Sequence, residues 1–285
     1  MQIENILNKP LQLTIFFGWM LILWLLEFGI PLTNIKKRRV LPNVILTIVM
    51  LLLNLLFASL LIFIGDWTKA NHFGLFNFIH IGTWLQLLAG VLILDLWAAY
   101  VIHLLFHKIS WLWNIHSVHH SDTMLDVTTA FRQHPLESIL RITFLLIGMF
   151  VLGFPLWITL VYQTLSSFNA QLEHANIKMN PKLERILQLI FVTPNYHKIH
   201  HSSFQKETDS NYSNIFSIWD RLFSTISKRE TYDNIDYGLD YLPNAKGFSF
   251  LDLLKLPFKN SRPRLWHLQL PHIPPAKQRQ EPMLP

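Results

Sequence analysis

Eight of the 14 histidines fall in three short windows: His103-Leu-Leu-Phe-His107, His116-Ser-Val-His119-His120 and His197-Lys-Ile-His200-His201. Spacings of three and four residues put such side chains on one helical face, a turn apart. Neutral imidazole binds iron, zinc, copper or nickel, and one window supplies only two or three donors, too few for a coordination shell. Together the windows overfill one tetrahedral site and suit two metals, so distant segments must fold back on a common centre. His134 and His174 each stand near a carboxylate (Glu137, Glu173) and are placed to complete a set of ten metal ligands. His72, His80, His267 and His272 are isolated and read as ordinary core or interface groups.

Other chemistries lack their residues. No His-Glu-x-x-His gives a zinc protease its general base, and no Gly-x-Ser-x-Gly, phosphate-binding loop or Gly-x-Gly-x-x-Gly is present. The paired Glu-x-x-His motifs of carboxylate-bridged di-iron bundles are missing too. Two readings besides catalysis stay open on the residues alone. One is a membrane metal-binding or transport protein without catalytic activity, and the other a bis-histidine haem electron carrier.

The elements that must position these residues are apolar. The chain has 285 residues, 51% hydrophobic and 15% charged, against about 25% charged in a soluble domain. Cysteine is absent, which excludes disulfides and thiolate ligands. The net charge of +6 fits contact with anionic lipid at the ends of apolar stretches better than it fits nucleic acid.

Leu11 to Leu32 is a first predicted span, with Glu27 placed near the interface, and Lys36-Lys37-Arg38-Arg39 directly after it belongs on the cytosolic side. Val44 to Ile64 returns, and Ile81 to Phe106 crosses back, carrying Asp95, Tyr100 and His103. At about 100° per residue Tyr100 shares a face with His103 and His107. Asp95 reads either as an acceptor for the outer nitrogen of a bound imidazole or as a hydrogen-bonded core group. Ile139 to Phe168 is interrupted by Gly153-Phe154-Pro155, which predicts a hairpin returning on the side it entered. Only a hairpin keeps the third histidine window on the side of the other two.

Leu183 to Val192 and Phe248 to Pro257 read as segments lying at the membrane surface, and Asp209 to Arg221 as a polar and aromatic cover over the site. The expected organisation is residues 1–80 as membrane spans, 81–230 as the histidine core with its hairpin, 231–270 as an interfacial segment and 271–285 as a disordered tail. The expected fold is an all-α integral membrane protein of about four transmembrane helices, with a cytosolic helical cap holding a histidine-rich dimetal site.

The order His-x3-His, His-x2-His-His, His-x2-His-His resembles the fatty acid hydroxylase superfamily, which includes sterol desaturases. Arg132-x-His134-Pro135, His174-Ala-Asn176, Asn211-Tyr212 and Trp219-Asp220-Arg221 are similar to its alkylglycerol monooxygenase branch. The resemblance covers about residues 90–225. It implies two iron ions that activate O2 to hydroxylate or desaturate the alkyl or acyl chain of a membrane lipid or sterol. It also implies a separate reductase or cytochrome as electron donor, since this chain has no haem, flavin or iron–sulfur motif. The implied ligands are His103, His107, His116, His119, His120, His174, His197, His200 and His201, with Asp95, Tyr100, Glu137 and Asn176 around them. Leu104 replaces the Arg common in the family, and Lys178 stands where some members have a further His. The tenth ligand is therefore His134 or Asn176. The membrane expected is a bacterial inner membrane rather than an endoplasmic reticulum.

Overall fold

The computed structural model describes residues 9–33, 40–79, 81–229, 232, 235–242 and 245–259. The basic block Lys36–Arg39, His80, His267, His272 and the tail from Pro271 lie outside the described residues. The described residues form helices joined by turns and loops, with three isolated β-bridges and no strand.

Helix α1 (Lys9–Gly29) leads to α2 (Val40–Ala70), the short α3 (Leu75–Phe78) and α4 (Thr83–Asp95). A π-helical turn, Leu96–Val101, joins α4 to α5 (Ile102–Lys108), and α6 (Ser110–His120) follows. Next come α7 (Pro135–Leu152), α8 (Leu156–His174), α9 (Pro181–Leu187), α10 (Pro194–His200), α11 (Gln205–Thr208), α12 (Ile218–Leu222) and α13 (Phe250–Lys259). Among the described residues, three stretches are long and apolar enough to cross a membrane: Val40–Phe78, Thr83–Lys108 and Pro135–Leu152. The described apolar part of α1, Leu13–Gly29, is shorter than these. Leu52, Leu55, Leu56 and Phe63 of α2 point outward, as lipid-facing side chains do.

Gly153 ends α7 in the left-handed conformation, at φ +67°. It packs against the turn after α2, where Gly74 has φ +100°; a Cβ on Gly153 would lie 2.4 Å from the Phe73 carbonyl oxygen. The chain reverses there, so Glu137 at the start of α7 and His174 at the end of α8 reach the same end of the molecule. That is the expected hairpin.

The other elements meet at that end. Glu27, on α1, accepts from the backbone N–H of Val127 (2.7 Å) and of Asn176 (2.8 Å). Buried Arg132 donates to the Val118 carbonyl (3.0 Å), Asn43 Oδ1 (2.8 Å) and Ser121 Oγ (2.9 Å), clamping the end of α6 to the start of α2. The surface helix expected over Leu183 to Val192 is shorter and starts earlier, because Asn180 caps α9 and Pro181 opens it. Its Leu183 and Ile186 remain exposed, while Glu184 is buried on Asn195.

Candidate metal centre

Helix α5 carries the first histidine pair, α6 the second window and α10 the third; His174 ends α8. Pro194 starts α10 with its fixed φ, and every residue from Pro194 to His200 is buried. The loop after α10 turns at Asn211, which has φ +53°. Its side chain holds that turn by donating to the carbonyls of Tyr196 (2.9 Å) and Ser227 (3.1 Å). Asn tolerates this conformation better than most residues. The carbonyls on either side, from Ser210 and Tyr212, are thereby aimed at imidazoles.

Nine of the ten expected histidines come together, in two adjacent groups. His103, His107, His116, His120 and His200 form one, and His119, His174, His197 and His201 the other; within each, one donor atom per residue lies within 4.8 Å of the rest. Ring centroids across the divide are as close as 4.6 Å, between His120 and His201. Each His-x2-His-His window therefore serves both groups. His116 and His120 face one and His119 the other, while His197 and His201 face the second and His200 the first.

Hydrogen bonds set the orientation of the rings. Nδ1 of His103 donates to the Tyr212 carbonyl, that of His174 to the Ala170 carbonyl and that of His200 to the Ser210 carbonyl, each at 2.7 Å. A carbonyl only accepts, so those Nδ1 atoms carry the proton and each Nε2 presents a lone pair inward. His116 Nδ1 meets Glu137 Oε1 at 2.9 Å, and His107 Nδ1 meets Asp209 Oδ1 at 3.3 Å. Arg141 holds the same Glu137 oxygen at 3.0 Å.

The donor set fits metal. Nε2 of His174 lies 3.1 Å from Nε2 of His119 and of His201, and 3.2 Å from that of His197. Two nitrogens bound to one ion at about 2.1 Å, at angles near 90–110°, stand about 3.0–3.4 Å apart. Nε2 of His120 and of His200 is buried with no hydrogen-bond partner in the protein, a costly state that a cation relieves. Burial also holds His119, His120, His197 and His201 well below their ordinary pKa of 6.5, helped by neighbouring imidazoles, and pushes His200 down to about 3. They are neutral at physiological pH, the form that ligates.

Several expected positions differ. His134 stands outside both groups. Its Nδ1 caps α7 by accepting from Leu136 N–H, and its Nε2 donates to the Leu254 carbonyl, both at 3.2 Å, so neither nitrogen has a lone pair left for metal. Asn176 is used in joining α8 to the end of α1: Oδ1 accepts from Thr33 N–H (3.0 Å) and Nδ2 donates to the Thr33 carbonyl (2.8 Å). Asp95 accepts from the N–H groups of Ile215 (3.2 Å) and Phe216 (3.1 Å) and from Trp219 Nε1 (2.8 Å), holding the covering loop rather than an imidazole. Tyr100 sits inside the π turn, whose extra residue breaks the uniform 100° count. Its ring stacks on Phe223, and its hydroxyl meets Thr225 at 2.9 Å.

Residues without a signal in the spacing also matter. Asp209 stood in a stretch read only as cover, and the three carbonyls have no sequence signature. Asp220 knots the loop to α10, accepting from Tyr212 N–H (2.8 Å), Ser213 N–H (3.0 Å) and the Tyr196 hydroxyl (3.0 Å).

The fold and site define a helical, membrane-type protein with two histidine groups able to hold metal. Residues 87–225, just under half of the chain, match the fatty acid hydroxylase family. The chain is 33% identical over 163 residues to an ornithine lipid hydroxylase of Rhizobium tropici, covering 57% of this chain and 48% of that protein. It is 30% identical over 142 residues to an alkylglycerol monooxygenase of Caenorhabditis elegans, covering 49% of this chain and 27% of that one. The human alkylglycerol monooxygenase is 28% identical over 147 residues, covering 51% and 31%. The matches thus span about half or less of each relative's length. No solved structure matches the chain.

Proposed function

We propose that this protein is an O2-dependent membrane oxygenase that uses two non-haem iron ions to hydroxylate, or desaturate, the alkyl or acyl chain of a lipid. The observation that carries this reading is the pair of adjacent histidine groups, five and four, buried at one end of a helical bundle. The match to lipid hydroxylases supports the substrate class.

Iron bound there supplies O2 activation, a redox chemistry that zinc lacks. The protein's part is positional. Carbonyls of Ala170, Ser210 and Tyr212, with Glu137 and Asp209, fix the ring planes so that the Nε2 lone pairs converge before metal arrives. Burial of all nine side chains excludes bulk water. Hydroxylation consumes one O2, two electrons and two protons, yielding the alcohol and water. Nothing in the described residues stores electrons, so a separate reductase or cytochrome supplies them.

The histidine end is assigned to the cytosolic side. Both Thr33, bonded to Asn176, and Asn43, bonded to Arg132, sit at that end, and the sequence joining them carries Lys36, Lys37, Arg38 and Arg39.

The test is metal analysis and turnover of purified full-length protein reconstituted with ferrous iron, a reductant and lipid extract. Two irons per chain, no Soret absorbance and an O2-dependent lipid product that has gained one oxygen atom or lost two hydrogen atoms are expected. His119→Ala and His200→Ala, one from each group, should each lose an iron and all turnover. Zinc as the sole bound metal, with no product after iron loading, would overturn the reading in favour of a metal-binding or transport protein.

A further inference from the structure

The two histidine groups are unequal, and a carboxylate stands beside the smaller one. Glu173, in the last turn of α8, is buried with 3% of its surface exposed. Its Oε2 accepts from Asn169 Nδ2 at 3.3 Å, one helical turn earlier. Asn169 is itself fixed on the carbonyls of Asn214 (2.5 Å) and Val192 (3.4 Å). That anchorage turns the other oxygen towards the imidazoles. Oε1 lies 3.7 Å from His197 Nε2 and 3.8 Å from His174 Nδ1. His197 Nε2 is one of the converging nitrogens, 3.2 Å from Nε2 of both His174 and His201.

The surroundings of the two groups differ in charge. Glu137 and Asp209 stand on the outer nitrogens of the five-histidine group. In the four-histidine group the outer nitrogen of His174 uses a carbonyl, and those of His119, His197 and His201 have no hydrogen-bond partner. Among the described residues, Glu173 is the carboxylate within 4 Å of imidazole nitrogens of this group, those of His197 and His174, and it stands outside the four donor atoms that lie within 4.8 Å of one another. A divalent ion held by four neutral imidazoles in a buried site needs an anion close by, and a buried carboxylate needs a cation.

On the dimetal reading above, we propose that Glu173 supplies an anionic oxygen donor to the metal held by His119, His174, His197 and His201. Both groups then have five protein donors. The oxygen donor also biases this position towards harder divalent ions and away from cuprous copper, which prefers sulfur ligands. Asn169 acts as a positioning residue, setting which oxygen faces the site.

The experiment is chelator-competed titration of the purified full chain with ferrous iron alone and with zinc alone. It compares wild type with Glu173→Gln, Glu173→Asp and Glu173→Asn. Wild type should hold two ions. Glu173→Gln keeps the size and loses the charge; it should hold one ion as tightly as wild type and the other more than about 100-fold more weakly, beyond the 10- to 100-fold that loss of an outer partner of a ligand costs. The metal-free melting temperature of this variant should match wild type, which separates loss of a donor from loss of fold. Should Glu173→Gln melt early, the Asp and Asn variants replace it as a pair of one size differing in charge, with the second ion retained by Asp only. Wild-type affinity for both ions in the charge-free variant would overturn the donor role and leave the dimetal site standing. Failure of wild type itself to bind two ions would overturn the dimetal reading, and this role with it.

Discussion

Histidine 134 and histidine 174 look alike in the sequence, each beside a carboxylate, yet their ring nitrogens have opposite fates. His174 spends Nδ1 on a carbonyl and presents Nε2 to three other imidazoles. His134 uses both nitrogens, one as a helix cap and one on the Leu254 carbonyl. Its tautomer is the reverse of His174's, since Nδ1 must accept and Nε2 must donate. His134→Ala is therefore expected to leave two metal ions per chain. It should lower stability by about 0.5–2 kcal/mol, the range for a lost N-cap. Metal analysis and denaturation of the same preparation check both halves; loss of an ion would return His134 to the ligand set.

Two local departures from regular helix decide where the ligands go. The π turn Leu96–Val101 lies just before the first histidine pair. It sends Tyr100 to Phe223 and Thr225 while α5 carries His103 and His107 to the site. Such turns cannot be read from apolar periodicity, because a single added residue leaves the composition unchanged. Gly153 is the other departure, and it was legible: a Gly-x-Pro break in a long apolar stretch has few other meanings. Gly153→Ala would force a side chain into the left-handed region and into the Phe73 carbonyl 2.4 Å away. A loss of about 2–5 kcal/mol is expected, combining the conformational cost with overpacking. Unfolding of the detergent-solubilised protein measures it, and an unchanged midpoint would mean the hairpin turn is not held as described.

At the scale of the whole molecule, the hairpin α7–α8 brings residues 174–201 to the end already occupied by residues 103–120. A single crossing would have separated them by the thickness of a bilayer, about 30 Å. The chain has no cysteine, so single introduced thiols report the orientation cleanly. His72 is exposed at the turn end and Lys206 is exposed at the histidine end. In intact cells or sealed vesicles whose orientation is known, an impermeant thiol reagent should label His72→Cys from the non-cytosolic side and Lys206→Cys only from the cytosolic side. The reverse pattern would put the site outside and exclude a cytosolic electron donor.

The sequence by itself determined the chemistry: donor type, helical spacing and the absence of cysteine left imidazole-bound metal as the reading, and hydropathy placed it in a membrane bundle. The break at Gly153-Phe154-Pro155 determined that the windows could meet. Only the tertiary structure decided how nine imidazoles divide. Residues i and i+4 share a helical face, while i+3 is rotated about 60° the other way, so whether one window feeds one group or two depends on what packs opposite. That partner comes from elsewhere in the chain. The same holds for Asp95, Asn176 and His134, polar groups whose buried partners are backbone atoms 120 to 143 residues away. Backbone N–H and C=O groups are the same at every position, so a sequence gives no sign of which one will satisfy a given side chain.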